Sequence, residues 1–391
     1  MASLTSTEQA TIERLRRLVL RYMDVESYEI GRAQGKVIAF RGRVRGDTET
    51  GFDRISEAFE GQGYTARLRA WDEDKHEVLA IEGVPEGKAP RPWLNLVLFL
   101  ATVLTVLYIG AQKALIDADI AMDLTSLAAL GMPLRYLHLG IPFAATLMSI
   151  LVAHELSHYF VARRYGSPVS LPYFIPMPNL LGTMGAVITQ KAPMRDRKAL
   201  FDIGIAGPLG GLILTIPLLI LGLTLSNVQP PPTDLPPGVG ILQEGNSLVY
   251  AALKYVVFGE WLPSNGRDVW LHPVAFAAWA GLLVTMVNLI PVGQLDGGHV
   301  SYAVLGRRAW GLGYLLVAAM LGWGGLLLLN GNQAGSFWVL WGFLNMVLNR
   351  KHPPPLNDVT ELDRGRVAVG VLMLIIFILM FMPSPLRELP L

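Results

Sequence analysis

His154-Glu155-Leu156-Ser157-His158 closes an apolar run that begins at Ile141, and this stretch decides how the chain is read. On an α-helix, residues four apart differ by about 40° around the axis and about 6 Å along it. Both imidazoles of an H-E-x-x-H pattern therefore leave one face and can grip a single ion, most naturally zinc. Glu155 points to an adjacent part of the same surface, where it can accept a proton from an activated water instead of binding the metal. Three ionisable groups in an otherwise lipid-soluble helix cost several kcal/mol unless they face a partner or a wet cavity. A hydrolytic metal site embedded in a membrane is the expectation.

Composition supports the membrane. Of 391 residues, 52% are hydrophobic and 16% charged, and the mean hydropathy is +0.41. Such values arise when much of the surface faces lipid, so an integral multi-pass protein with the lipid bilayer as a partner is expected. The net charge of +1, without a basic patch interleaved with aromatics, speaks against a nucleic-acid partner. Zero cysteines exclude disulfides, thiol catalysis and thiolate ligands, leaving His and carboxylate to hold any metal. The polar start, Met1 to Glu8, has no apolar stretch of the kind a cleaved signal peptide carries.

Working outward, residues 1–88 read as a soluble cytoplasmic α+β domain, suited to regulation. Helical spacing runs from Thr7 to Met23, a strand from Lys36 to Val44, a helix from Asp47 to Phe59, and a hairpin over Tyr64–Ala70 and Glu77–Ile81. His76 is expected in a solvated, charged turn. Residues 89–136 hold the end of a Pro-rich linker that starts at Val84, a first span over Trp93–Ala111, and a polar break from Gln112 to Asp123. The second span, Leu137–Val161, carries the metal motif and ends at Arg163-Arg164, which the positive-inside rule places in the cytoplasm together with the N-terminus. Residues 166–198 are too rich in Gly and Pro for a helix and predict short strands or a re-entrant β-like loop, whose edge can pair with an extended peptide. Ala199–Leu225 forms the next span, with small residues from Gly204 to Gly211 for close helix contact. An outer loop over 226–272 opens with the prolines after Gln229 and holds a possible amphipathic helix at Asn246–Trp261. Further spans are predicted at Pro273–Ile290, Leu312–Leu329, Phe337–Leu348 and Val367–Met382, with Arg307-Arg308 and Arg350-Lys351 at alternate ends. The fold expected is a polytopic α-helical membrane protein of about seven transmembrane helices, with its C-terminus outside.

Two histidines leave a tetrahedral ion underfilled, and catalytic zinc commonly takes a third protein ligand plus water. Asp296 is the best candidate, because a carboxylate directly after an apolar span is costly unless a cation compensates it. Pro291 and Gly293 break the helix, and Gly297-Gly298 lets the backbone turn beside it; an N-cap role for a helix starting at Gly297 is the competing reading. Asn288 offers a neutral amide that can stabilise an oxyanion or satisfy backbone groups freed by Pro291. His299 and His138 are weaker ligand candidates, His299 reading better as a supporting residue.

These residues together resemble a family. His154, Glu155 and His158 on one transmembrane helix, Gly207-Pro208 on the next, and Asn288, Pro291, Leu295, Asp296 and Gly297 on a third look like the core of the site-2 proteases, the intramembrane zinc metalloproteases. The resemblance spans residues from about 137 to 305. It implies zinc bound by His154, His158 and Asp296, Glu155 as general base and Asn288 assisting the oxyanion. Two departures stand out: Ser157 replaces the common Gly before the second histidine, and the outer loop is too short for the PDZ domain of some members. The soluble N-terminal segment with additional C-terminal spans looks like a PDZ-less subgroup similar to the gravitropism-deficient, yellow-green type proteases of chloroplasts and bacteria.

The expected activity is regulated intramembrane proteolysis: a zinc-dependent endopeptidase, with one zinc per chain, cutting a transmembrane protein substrate near the cytoplasmic side. The expected divisions are 1–88, 89–136, a protease core over 137–305, and extra spans over 306–391, in a bacterial plasma membrane. A metal transporter or sensor using the same ligands is the alternative, weakened because the ionisable groups cluster at one depth instead of forming a path across the bilayer.

Overall fold

The computed structural model describes residues 6–31, 37–84, 91–117, 127–230, 241–348 and 351–389. The first unit is a sheet with two helices: α1 (Ser6–Val19), β1 (Met23–Gly31), β2 (Val37–Val44), α2 (Thr48–Glu60), β3 (Tyr64–Asp72) and β4 (Lys75–Glu82). The four strands pair antiparallel in the order β1-β2-β4-β3. Leu15, Phe40, Phe52, Phe59 and Leu68 fill the space between sheet and helices, all essentially inaccessible to solvent. Asp47 starts α2 by accepting the Thr50 amide at 2.9 Å, satisfying a donor that the first turn leaves unpaired. The predicted first helix stops at Val19, and Met23 onward is strand β1. Its signal is hidden because Asp24, Glu26 and Glu29 lie on an exposed edge strand, where one buried face barely alternates. His76 sits in β4, where its Nδ1 accepts the Val44 amide at 3.3 Å, and not in a solvated turn. The start of the predicted strand at Lys36 lies outside the described residues.

The remainder is mostly helical: α3 (Pro92–Asp117), α4 (Leu127–Arg135), α5 (Ile141–Arg164), hairpin strands β5 (Tyr173–Pro176) and β6 (Thr183–Val187), α6 (Arg197–Thr224), β7 (Asn227–Gln229), β8 (Ile241–Glu244), α7 (Leu248–Phe258), β9 (Asp268–Trp270), α8 (Pro273–Asn288), α9 (Asp296–Leu305), α10 (Arg308–Leu329), α11 (Gly335–Leu348), α12 (Arg364–Met380) and β10 (Leu386–Leu389). The break predicted after Gln112 is helical as far as Asp117, where Lys113 pairs with Asp117 at 3.1 Å within α3; its continuation lies outside the described residues. The linker over 85–90, the prolines over 231–240 and Arg350 are likewise outside them.

Among the described residues, four helices are long and apolar enough to cross a membrane: α3, Leu137–Arg164, α6 and α10. The expectation of about seven was higher because α8, α11 and α12 are apolar but short, at 16, 14 and 17 residues. The 16 residues of α8 reach only about 24 Å, against a hydrocarbon thickness of about 30 Å. Trp93, Leu96, Val97, Leu100 and Leu104 form an exposed apolar stripe on α3, the surface a lipid-facing helix presents. The hairpin β5–β6 occupies the Gly- and Pro-rich stretch where strands or a re-entrant loop were expected. It is fastened to α3 by Asn95, whose Nδ2 donates to the carbonyls of Leu171 and Pro172 at 2.9 Å each.

Candidate metal centre

α5 starts at Ile141 and carries Pro142 in its first turn, which the ring favours and where the missing N–H is not needed. Twelve residues on, the helix delivers His154, Glu155 and His158 to its buried side, at 3–5% exposure. α8 ends at Asn288, the chain turns through Pro291 and Gly293, and α9 begins at Asp296. A Cβ at Gly297 would lie 2.0 Å from the Leu289 carbonyl oxygen, so this close return of the backbone requires glycine. Leu295 occupies the N-cap position without a side-chain bond, and Asp296 is the first helical residue, so its carboxylate is free of the capping role.

The structure brings three side chains from two separated segments together. The Asp296 carboxylate lies 3.1 Å from His154 Nε2 and 3.2 Å from His158 Nε2, and the two Nε2 atoms are 3.3 Å apart. One ligand atom from each of His154, His158 and Asp296 lies within 4.8 Å of the others. Two imidazole nitrogens and a carboxylate oxygen form a donor set suited to zinc, and no other group of this kind occurs among the described residues. His158 Nδ1 lies 2.7 Å from the Ile203 carbonyl, which can only accept, so Nδ1 carries the proton and Nε2 presents its lone pair to the site. Asn288 Nδ2 approaches His154 Nε2 at 3.4 Å, at the rim of the same cluster.

α6 makes room for this arrangement with glycines. A Cβ at Gly207 would lie 2.0 Å from His158 Nε2, and one at Gly211 would lie 3.2 Å from His154 Nδ1. Ser157 bonds back to the Ala153 carbonyl at 2.7 Å, and Gly210 leaves the space its hydroxyl needs, since a Cβ there would come within 2.0 Å of Ser157 Oγ. The weaker candidates fall elsewhere. His138 lies in a short 3₁₀ turn near Tyr136, and His299 Nδ1 meets His352 Nε2 at 2.6 Å. Sequence reasoning missed His352 altogether, because Lys351 beside it was read only as a marker of membrane sidedness.

Comparison with known proteins places this geometry in a family context. Residues 142–320 match the sequence model of Peptidase family M50. The chain is 28% identical over 384 residues to the probable zinc metalloprotease EGY1, chloroplastic, of Oryza sativa subsp. japonica, covering 89% of this chain and 63% of that protein. It is 29% identical over 372 residues to the probable zinc metalloprotease EGY2, chloroplastic, of Arabidopsis thaliana, covering 92% and 61%. The probable zinc metalloprotease EGY3, chloroplastic, of Oryza sativa subsp. indica is 27% identical over 266 residues, covering 62% and 42%. The chain thus spans less than two thirds of the length of these relatives. Their chloroplastic names lend no support to a bacterial plasma membrane. No solved structure matches the chain. The matched stretch contains His154, Glu155, His158, Asn288 and Asp296, so the match to Peptidase family M50 falls on the residues whose motifs resemble the site-2 proteases.

Proposed function

We propose that this chain is a zinc-dependent intramembrane endopeptidase that hydrolyses a peptide bond in or beside a transmembrane segment of a membrane-protein substrate, near the cytoplasmic side. The observation that carries the proposal is the convergence of His154, His158 and Asp296 within 4.8 Å, buried among apolar helices with Glu155 beside them. These three residues would hold one zinc ion, with His158 pre-set by its bond to Ile203. Zinc held there supplies Lewis acidity, polarising a carbonyl oxygen and making water a nucleophile near neutral pH.

The remaining steps belong to the chain. The Glu155 carboxylate takes the proton of the attacking water and returns it to the leaving amine nitrogen. The Asn288 amide donates to the oxygen on which negative charge develops, a contact often worth about 3 kcal/mol. A helical substrate hides its carbonyls in i to i+4 hydrogen bonds, so it must unwind before it reacts. The β5–β6 hairpin suits an unwound apolar segment: it offers strand edges, and Ile175, Met177, Met184 and Val187 expose apolar side chains. In this reading residues 1–88 form a cytoplasmic regulatory domain, 89–136 a linker and first span, 137–305 the protease core, and 306–391 additional membrane helices.

Glu155→Gln tests the assignment. The variant is expected to retain zinc and to cleave a co-reconstituted transmembrane substrate at least about 100-fold more slowly, the low end of what a general base contributes. Candidate substrates come from comparing membrane-protein fragments in cells carrying the native chain and in cells carrying Glu155→Gln. Undiminished cleavage by the variant would remove Glu155 from the mechanism.

A further inference from the structure

Between α11 and α12 the chain does not simply reverse; residues 352–363 run as an extended strap with partners on both flanks. On one flank the Leu356 amide donates to the Met194 carbonyl at 2.8 Å, and the Asn357 amide to the Arg195 carbonyl at 2.8 Å. On the other, the Leu68 amide donates to the Leu356 carbonyl at 2.7 Å and the Asp358 amide to the Leu68 carbonyl at 3.0 Å. The strap therefore occupies the edge of β3 that the sheet leaves open, in parallel register at Leu68 and Asn357. Leu356 and Val359 pack against the core of the soluble sheet, and Thr360 Oγ1 meets Thr48 Oγ1 at 3.2 Å. Asn357, 1% exposed, holds the strap's own turn by accepting the amides of Val359 and Thr360 at 3.1 Å each.

The strap's inward-facing side chains grip α9. His352 Nε2 meets His299 Nδ1 at 2.6 Å, its ring lies 4.8 Å from that of Tyr302, and its carbonyl accepts the Trp310 indole N–H at 3.0 Å. Asp358 accepts the Tyr302 hydroxyl at 3.1 Å and the Arg197 guanidinium at 3.1 Å. His299 lies three residues after Asp296, one turn along the same helix, and Tyr302 lies one turn further. A carboxylate ligand on the first residue of a ten-residue helix goes wherever that helix goes. Side chains behind metal ligands generally set ligand orientation, and their loss typically costs 10- to 100-fold in metal affinity.

We propose that the strap, through His352, positions Asp296: His352 holds His299, His299 fixes the first turn of α9, and the soluble sheet supports the metal centre by holding the strap. The inference rests on Asp296 being a zinc ligand. His352 touches neither substrate nor metal and acts through another residue.

Two readouts on the full chain in detergent follow Asp296 without reference to activity: zinc affinity by competition with a chromophoric chelator, and the visible spectrum of the Co²⁺-loaded protein. His352→Ala is expected to weaken zinc binding about 10- to 100-fold and to alter the Co²⁺ bands. His352→Gln, whose amide can still meet His299, is expected to recover most of the affinity; equal loss in both variants would show that the ring's bulk and not its hydrogen bond places α9, overturning the proposal. Asp296→Asn is the reference. Unchanged zinc affinity in that variant overturns the ligand reading itself, whereas a loss there beside native affinity and a native spectrum in His352→Ala overturns only the role of the strap. Should His352→Ala fail to fold, His352→Phe keeps a ring against Tyr302 and removes only the hydrogen bond to His299, and native affinity and spectrum in that variant likewise overturn the proposal.

Discussion

At Gly207 the site depends on an atom that is absent. A methyl group there would stand 2.0 Å from His158 Nε2, far inside any van der Waals contact, and it would displace the imidazole or push α6 away from α5. Gly207→Ala is therefore expected to weaken zinc binding about 10- to 100-fold, of the order seen for disturbed metal surroundings. Gly311, in α10 with open space around it, is the control: Gly311→Ala should bind zinc as the native chain does, with the same chelator competition reading both. The histidines and Glu155 were legible in the sequence because their chemistry and four-residue spacing coincide on one helix face. Gly207 was legible only as a small residue that permits close packing; that it clears space for one particular ring atom depends on its neighbour's position, which lies 49 residues back in the chain.

Elements show the same division. The hairpin's existence followed from Gly and Pro excluding a helix over residues 166–198, but its attachment did not. Asn95 reaches it from α3, 76 and 77 residues away in sequence, and was read as part of an apolar span. Asn95→Leu leaves two carbonyls without their donor, at a cost of about 1–3 kcal/mol in a buried setting. If the hairpin aligns substrate, this variant should cleave a reconstituted substrate several-fold more slowly while binding zinc with native affinity. Loss of zinc as well would mean that the hairpin holds the metal centre and not the substrate. The boundary of α9 is a second case. Asp296 was weighed as an N-cap, yet Leu295 takes that position, because the tight return of Gly297 against Leu289 sets where helical geometry begins.

On the scale of the whole molecule, α6 joins two polar ends. Its 28 residues rise about 42 Å. At the Asp196 end, Arg195 pairs with Asp53 and Lys198 with Glu49 at 2.6 Å, tying the helix to α2 of the soluble sheet. At the Thr224 end, Ser226 Oγ accepts the His272 amide at 3.0 Å, and the segment between α6 and α8 folds over a fully buried Lys254, which pairs with Asp268 at 3.0 Å. Glu244 sits 3.9 Å from Lys254 and accepts the Tyr250 hydroxyl at 3.0 Å, on a strand that pairs with the C-terminal β10. With Lys254 closer to Asp268, burial dominates and pushes the Glu244 carboxyl up to about 7 from 4.5. A carboxyl that holds its proton more tightly when folded stabilises the fold fully below its unfolded pKa, and that contribution is lost as pH rises through the folded value. The β8–β10 pair should therefore open more readily at pH 8 than at pH 5.5, seen as faster amide exchange in peptides covering both strands after correction for the intrinsic rate. Glu244→Gln should abolish the difference.

By itself the sequence determined which side chains are on hand and in what medium: two imidazoles and a carboxylate of the types that bind metals, a second carboxylate between the histidines, and an apolar chain to embed them. Those properties reside in residue type and short-range spacing, which survive without coordinates. Tertiary structure decided how the donors are held. The proton on His158 Nδ1 is set by Ile203, the room for its ring by Gly207, and the seat of α9 by a strap reaching from His352 to the edge of β3. Each of these is a contact between residues far apart in the chain, and such contacts depend on how helices pack, which no local periodicity encodes.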